Sequence, residues 1–519
     1  MKPGNRREFL NGVGRGMLFA GLGAALADEL GFGPLAFADS GPDRLIFGEY
    51  DALVDLLQAT PPEKLQGVLV EKLRRGEVDL RTLVAAGALA NAETFGGQDY
   101  VGFHTAMAFI PAFGMSALLP KERRPLPVLK VLYRNAQQTQ QLGGASKTTL
   151  LAMDRAEHDA AAGDAGAAIR DAARKGDMKE AERLFAPMAK APLDAAFDAL
   201  QPVVQDDVDV HRFVLAHRAH GLARLLGQDY AHDILRQCVR FCVEQEADRH
   251  SRKKPAPPIR TVLPKLLEKY KLASMPAPGR RDPGDAWVDA TSNAIYAGPP
   301  ERAAETVAAA LAEGIDPEVV GEAISLASNL LVLRQGSSPR RAHGASAGVH
   351  SSDATNAWRN MARATDARFA VSGLIIAAYH SAAHEPFATE PYPTAEQRAT
   401  VKATTPEALL DEAAEAVRGN DQGRAAAAIQ VYDELGFPAE AVFERMLAFT
   451  VSEDGRLHGE KYFQTVQEEY RTIRKAFRGR QLVGLARVTA SAYGYDLSDR
   501  KGFRAPGYEE ACGLLGVKA

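Results

Sequence analysis

Apolar residues recur at three- and four-residue intervals along nearly the whole chain, and this pattern predicts helices throughout. Val319, Val320, Ile324 and Ala327 illustrate it, forming one face at the helical period. No alternating strand pattern of useful length interrupts it. Start signals sort the predicted helices into recurring groups. A first helix opens at Thr60-Pro61-Pro62-Glu63, Asp177-Met178-Lys179-Glu180, Gly298-Pro299-Pro300-Glu301 and Asn420-Asp421. Thr60 with Glu63, and Asp177 with Glu180, have the spacing of capping boxes, in which each side chain satisfies the other's free backbone N–H. A second helix opens at Val78-Asp79-Leu80, Ala191-Pro192-Leu193-Asp194, Ile315-Asp316-Pro317-Glu318 and Phe437-Pro438-Ala439-Glu440; before Pro317, Asp316 is placed to cap and Glu318 to meet the positive end of the dipole. Each group continues through a loop into two more helices. The expected fold is all-α: four tandem four-helix repeats forming an α-solenoid or a closed α/α toroid, because units that cannot bury an apolar face alone stack to do so.

The third helix of every group begins with a histidine. The pairs are Phe103-His104, Val210-His211, Val349-His350 and Leu457-His458. An aromatic follows each one, Tyr133, Phe241, Tyr379 and Tyr493, at 29, 30, 29 and 35 residues. The histidines are separated by 107, 139 and 108 residues, and the excess in the middle lies in two non-periodic stretches. One is a basic, Pro-rich linker; the other, Gln335 to Gly348, is an enlarged loop before His350 that carries His343. Loops of this length without structure of their own are commonly functional or disordered. The expected divisions are 1–38 leader, 39–150 repeat 1, 151–251 repeat 2, 252–285 linker, 286–400 repeat 3 and 401–519 repeat 4.

The first 38 residues read as an export signal. Asn5-Arg6-Arg7-Glu8-Phe9-Leu10 precedes a weakly apolar, Gly-rich stretch that ends at Ala36-Phe37-Ala38. The paired arginines before Phe-Leu resemble the twin-arginine (Tat) signal, which implies export of an already folded protein to the periplasm or exterior. Its removal takes away four basic and three acidic residues, moving the formal charge from −4 to −5. No later apolar run is expected to be long and charge-free enough to span a bilayer. A sequence pI near 6.3 gives no reason to expect nucleic acid as a partner. Three cysteines exclude a disulfide framework; Cys238 and Cys242 read as small residues on a buried helical face.

Candidate chemistry concentrates in repeat 3. His380 and His384 are spaced i, i+4, which sets both imidazoles on one helix face and suits a transition metal. His343 and His350 are placed to complete such a site, so His343, His380 and His384 are the candidate metal ligands. His350 and Tyr379 are the candidate catalytic pair, since an imidazole exchanges protons near neutral pH. His104, His211 and His458 are the equivalent cofactor-binding candidates in the other repeats. The cofactor these residues suit is a transition metal, and the expected partner is a small molecule. A histidine that opens a helix can also serve only to cap it. Gly143-Gly144-Ala145-Ser146-Lys147-Thr148 lacks phosphate-loop spacing and a preceding strand, and no C-x-x-C-H, H-E-x-x-H or nucleophile-elbow motif is present.

The segment Val349-His350-Ser351-Ser352-Asp353-Ala354-Thr355-Asn356-Ala357-Trp358-Arg359, with Ala377-Ala378-Tyr379 after it, resembles the questin oxidase-like family. His211 through Arg224 is similar but looser. The resemblance implies an all-helical fold and oxidative chemistry, with His350 as the residue carried over. Two function classes follow: an oxidoreductase using a His-lined pocket, or a non-catalytic helical-repeat protein binding a ligand or partner.

Overall fold

The computed structural model describes residues 44–153, 164–274, 279–336, 346–384, 386–387, 389–453, 457–493 and 505–519. The leader and His343 lie outside the described residues. The fold is all-α, and among the described residues no strand forms; Arg281 and Ile315 make one isolated bridge.

One five-helix order occurs four times. It runs α1 (Asp51–Ala59), α2 (Pro62–Arg75), α3 (Leu80–Phe95), α4 (Tyr100–Leu118) and α5 (Leu126–Gln141) in the first set. The second set is α6 (Ala165–Arg174), α7 (Met178–Phe185), α8 (Leu193–Val204), α9 (Val210–Leu226) and α10 (Gln228–Ser251), followed by α11 (Ile259–Lys269). The third is α12 (Asp285–Ala297), α13 (Pro300–Ala312), α14 (Pro317–Arg334), α15 (Ala347–Ala362) and α16 (Ala367–Ala382), followed by the short α17 (Ala395–Thr400). The fourth is α18 (Pro406–Arg418), α19 (Gln422–Glu434), α20 (Ala439–Ser452), α21 (His458–Thr472) and α22 (Arg478–Ala492), and α23 (Tyr508–Leu515) closes the chain. Each set therefore carries one helix ahead of the four that the start signals marked. The Pro-rich linker holds α11, tied to the second set by Arg260 pairing with Asp206 at 2.9 Å and Glu246 at 2.6 Å.

The histidine-bearing helices α4, α9, α15 and α21 stand at the centre. Each packs on the next, and α21 packs back on α4, so the assembly closes as a ring. The four run parallel. Asp353 of α15 meets Thr465 of α21, and further along Asn356 meets Glu469, in the same order as His350 meets His458. Closure is secured by a buried ion pair, Lys130 of α5 with Glu460 of α21 at 2.5 Å, and by Lys130 donating to the Thr450 carbonyl at 3.0 Å. The C-terminal helix α23 then lies across α2 and α5.

Local chemistry departs from two expected caps. Thr60 ends α1 rather than starting α2, whose cap is Pro61, so no capping box forms there. Asp177 does accept from the Glu180 N–H at 3.1 Å, but the Glu180 carboxylate turns to Arg183 instead of reaching back. Asp316 caps as expected, accepting from Glu318 N–H at 2.8 Å. The expectation about bilayer spans is also corrected. α4 has 19 residues and the composition of a spanning segment, because it sits inside the bundle with 67% of its apolar window buried.

Candidate metal centre

The convergence of four histidines begins with how their helices start. Asp99, Asp209 and Ser346 cap α4, α9 and α15 by accepting from the N–H groups of Gly102, Arg212 and Val349 at 2.8, 3.1 and 3.2 Å. Leu457, in the left-handed region at φ 64°, turns the chain into α21. No histidine is needed as a cap, so the imidazoles in the first turns are free to point along the bundle axis.

They form a ring. Centroid separations are 5.0 Å for His104–His211, 5.7 Å for His211–His350, 5.4 Å for His350–His458 and 5.1 Å for His458–His104. His350 and His458 meet Nε2 to Nε2 at 3.4 Å. Imidazoles sharing one ion at about 2.0–2.1 Å place adjacent centroids roughly 4.6–5.3 Å apart. Two of the four separations fall inside that range and the other two, 5.4 and 5.7 Å, lie above it, and among the described residues no three His, Cys, Asp or Glu donors already stand at metal-binding separation.

The outer nitrogens are oriented by neighbours. His104 Nδ1–H donates to the Tyr100 carbonyl at 2.7 Å, and His211 Nδ1 lies 3.6 Å from Asp209 Oδ1. The first contact puts the proton of His104 on Nδ1 and leaves its Nε2 lone pair free, as neighbours of metal-binding histidines do. Nε2 of His104 and of His211 is buried and has no hydrogen-bond partner, which is costly unless something else meets it. Burial, with the Lys461 ammonium adding to it, holds His104 well below the usual imidazole range and His350 at about 3, so both are neutral at pH 7. Four parallel helix N-termini, each with roughly half a positive charge, work in the same direction. Asp209 is driven the other way: burial opposes ionisation, but His211 and Arg212 outweigh it and take the carboxyl to about 2.

Below the ring the axis is polar. Lys461, three residues after His458, is buried, and burial takes its amine to about 8 against the attraction of Asp353 and Glu460. Burial raises Asp353, three residues after His350, to about 6; its carboxyl accepts from Thr465 Oγ1 at 2.8 Å. Arg218 pairs with Glu468 at 3.8 Å, and Asn360 donates to Glu468 at 2.9 Å. In the first three sets the residue after the histidine then ties the ring to the outer helices. Thr105 bonds Asn91 at 2.8 Å and Asn135 at 3.2 Å; Ser351 bonds Ser328 at 2.9 Å and Ser381 at 3.2 Å. Arg212 plays this part in the second set, donating to the Val203 carbonyl at 3.2 Å and to Glu246 at 3.3 Å.

The structure therefore brings together His350, His104, His211 and His458, one from each set. His380 and His384 remain a separate pair beside the ring, with His380 edge-on to Phe213 at 5.8 Å. The Tyr379 hydroxyl turns outward to Glu301 at 3.4 Å, and Tyr493 packs on Phe449 at 4.9 Å. These aromatics belong to the outer packing; the residues two further on, Asn135 and Ser381, are the ones that face inward. His220 stacks on Phe197 at 4.2 Å, a core role. Tyr100, Asp209 and Lys461 were not picked out from sequence, although Lys461 shares a signal with Asp353: each lies three residues after its histidine. A surface groove of about 310 Å³ near the linker, with Tyr270, Trp287 and Arg302 among its lining residues, includes no ring histidine.

No family model matches this chain, and no curated protein or solved structure matches it either.

Proposed function

We propose that the protein is an exported, metal-dependent oxidoreductase whose centre is the ring of His104, His211, His350 and His458. One observation carries the reading: four separated repeats each deliver an imidazole to the same point, and two of them, His104 and His211, have buried Nε2 atoms without a hydrogen-bond partner. Imidazole donors suit zinc, copper, iron and nickel over calcium or magnesium. The questin oxidase-like phrase around His350 favours a redox ion over a purely structural one. Such an ion, when bound, supplies Lewis acidity and one-electron chemistry.

The chain's own residues do the rest. The Tyr100 carbonyl and the Asp209 carboxylate fix ring tautomers and orientations. Phe103, 5.3 Å from His211 and 5.1 Å from Phe241, shields one side from water. Lys461 holds an exchangeable proton and Asp353 a carboxylate able to take one, both buried away from bulk solvent. The alternative, a ligand-binding repeat protein without turnover, needs no ion.

Metal analysis of untagged protein separates the two. About one equivalent of a transition ion in wild type, lost in His350→Gln and His458→Gln proteins that keep their helical circular dichroism, supports the metal centre. Metal-free wild-type protein that takes up none on dialysis refutes it. Export is tested separately: Arg6→Lys with Arg7→Lys is expected to trap folded protein in the cytoplasm, and normal export of that variant removes the Tat reading.

A further inference from the structure

Outside the ring, the most conspicuous unsatisfied groups are on the last turn of α16 and just past it. His380 is 6% exposed, and its Nδ1 is buried without a hydrogen-bond partner; Nε2 of His384, one turn on, is also buried and unpartnered. Their rings are 5.7 Å apart, centroid to centroid, at 87°. Leaving two buried imidazole nitrogens unmet is costly, and such atoms call for a water or an ion.

We propose that His380 and His384 form a second, weaker transition-ion site beside the ring. Two imidazoles sharing an ion at about 2.0–2.1 Å have centroids roughly 4.6–6.5 Å apart, depending on the angle between the bonds. The observed 5.7 Å falls inside that window without any movement of the helix. The i, i+4 spacing puts both donors on one face, and burial keeps both rings in their neutral, metal-binding form. No third His, Cys, Asp or Glu stands within ligand reach among the described residues, so water fills the remaining positions and the site binds weakly. Phe213, two residues beyond His211, packs edge-on against His380. The pair therefore sits next to the ring and is suited to hold an ion before it passes to the four-imidazole centre. That role, though not the site itself, rests on the metal-centre reading above.

The test is equilibrium dialysis of untagged protein against Co(II), with metal counted by mass spectrometry and the visible cobalt bands recorded. Wild type is expected to bind two equivalents, the second at least about tenfold more weakly. His384→Gln, at a part-buried position just past the helix end where folding is least at risk, and His380→Gln are expected to lose only the weak equivalent. His350→Gln is expected to lose only the tight one. A single equivalent in wild type, unchanged in His380→Gln and His384→Gln, overturns the second site and leaves water as the occupant. A wild type that binds two, with the tight equivalent intact in His350→Gln, overturns the ring reading instead.

Discussion

Lys130→Met is the sharpest test of the closed ring. Lys130 and Glu460 are 3% and 0% exposed, and their ion pair joins the first set of helices to the last. Removing the ammonium leaves a carboxylate in the core without its counter-ion, which costs about 3–5 kcal/mol. The Thr450 carbonyl loses its donor as well, a further penalty of about 1 kcal/mol. Glu460→Met alone strands the ammonium and is expected to cost a similar amount. The double variant removes both charges together. Since buried pairs replaced by apolar groups of similar volume are often neutral, it is expected to recover most of the loss. Urea unfolding followed by the fluorescence of Trp287 and Trp358 measures the cycle, and the coupling between the two sites is expected to exceed about 2 kcal/mol. Because α21 carries both Glu460 and His458, Lys130→Met is also expected to weaken metal retention in urea below the global transition. A single variant within about 0.5 kcal/mol of wild type, or a double variant as unstable as the sum of the singles, refutes the argument.

Three further outcomes are expected. In metal-free protein, His380 stays neutral down to about pH 4, held there by burial, whereas the unfolded chain protonates at about 6.5. Its stabilisation is therefore intact above pH 6.5 and lost as pH falls toward 4, by about 2 kcal/mol at pH 5, and His380→Gln flattens the acid limb of a stability–pH curve. Gly348→Ala places a methyl 2.6 Å from the Val332 backbone nitrogen, which cannot rotate away. That variant is expected to lose about 1–3 kcal/mol by thermal melt and to bind metal less tightly as α15 shifts. Asn91→Leu removes the donor to the Gly102 carbonyl, Thr105 and Asn135, 2.8–2.9 Å away in each case, and is expected to lower both melting temperature and metal occupancy.

The helices and the repeating histidine were legible in the sequence because a 3.6-residue period and a fixed offset survive in one dimension. Asp316 with Pro317 marked the start of α14 correctly. What escaped notice lies where contrast disappears. α4, α9 and α15 are covered by neighbours on most of their faces, so the stripe lining the axis cannot be told by hydrophobicity from the stripe packed outward. Lys461 was hidden for a different reason, as a charged residue on α21, which also has solvated turns. Tyr379 misled for a related reason. Its distance from His350 matches the return of an antiparallel helix, but spacing gives the level along the axis and not the side of the helix, and its hydroxyl points to Glu301. His380 and His384 drew attention as a local pair, whereas the four ring histidines are more than a hundred residues apart and meet only through closure.

That closure makes the histidine ring depend on a segment far along the chain from α4. His104 waits for His458 through 354 residues of synthesis, roughly 20–70 s at about 5–20 residues per second. Throughout that interval α4, apolar enough to pass for a membrane segment, has no α21 to cover it. Pairing of such distant segments is intrinsically slow and leaves unfinished chains exposed to aggregation. A chain cut before α21 lacks the fourth imidazole and the Glu460 partner of Lys130, so the ring of histidines is expected to stay open on that side.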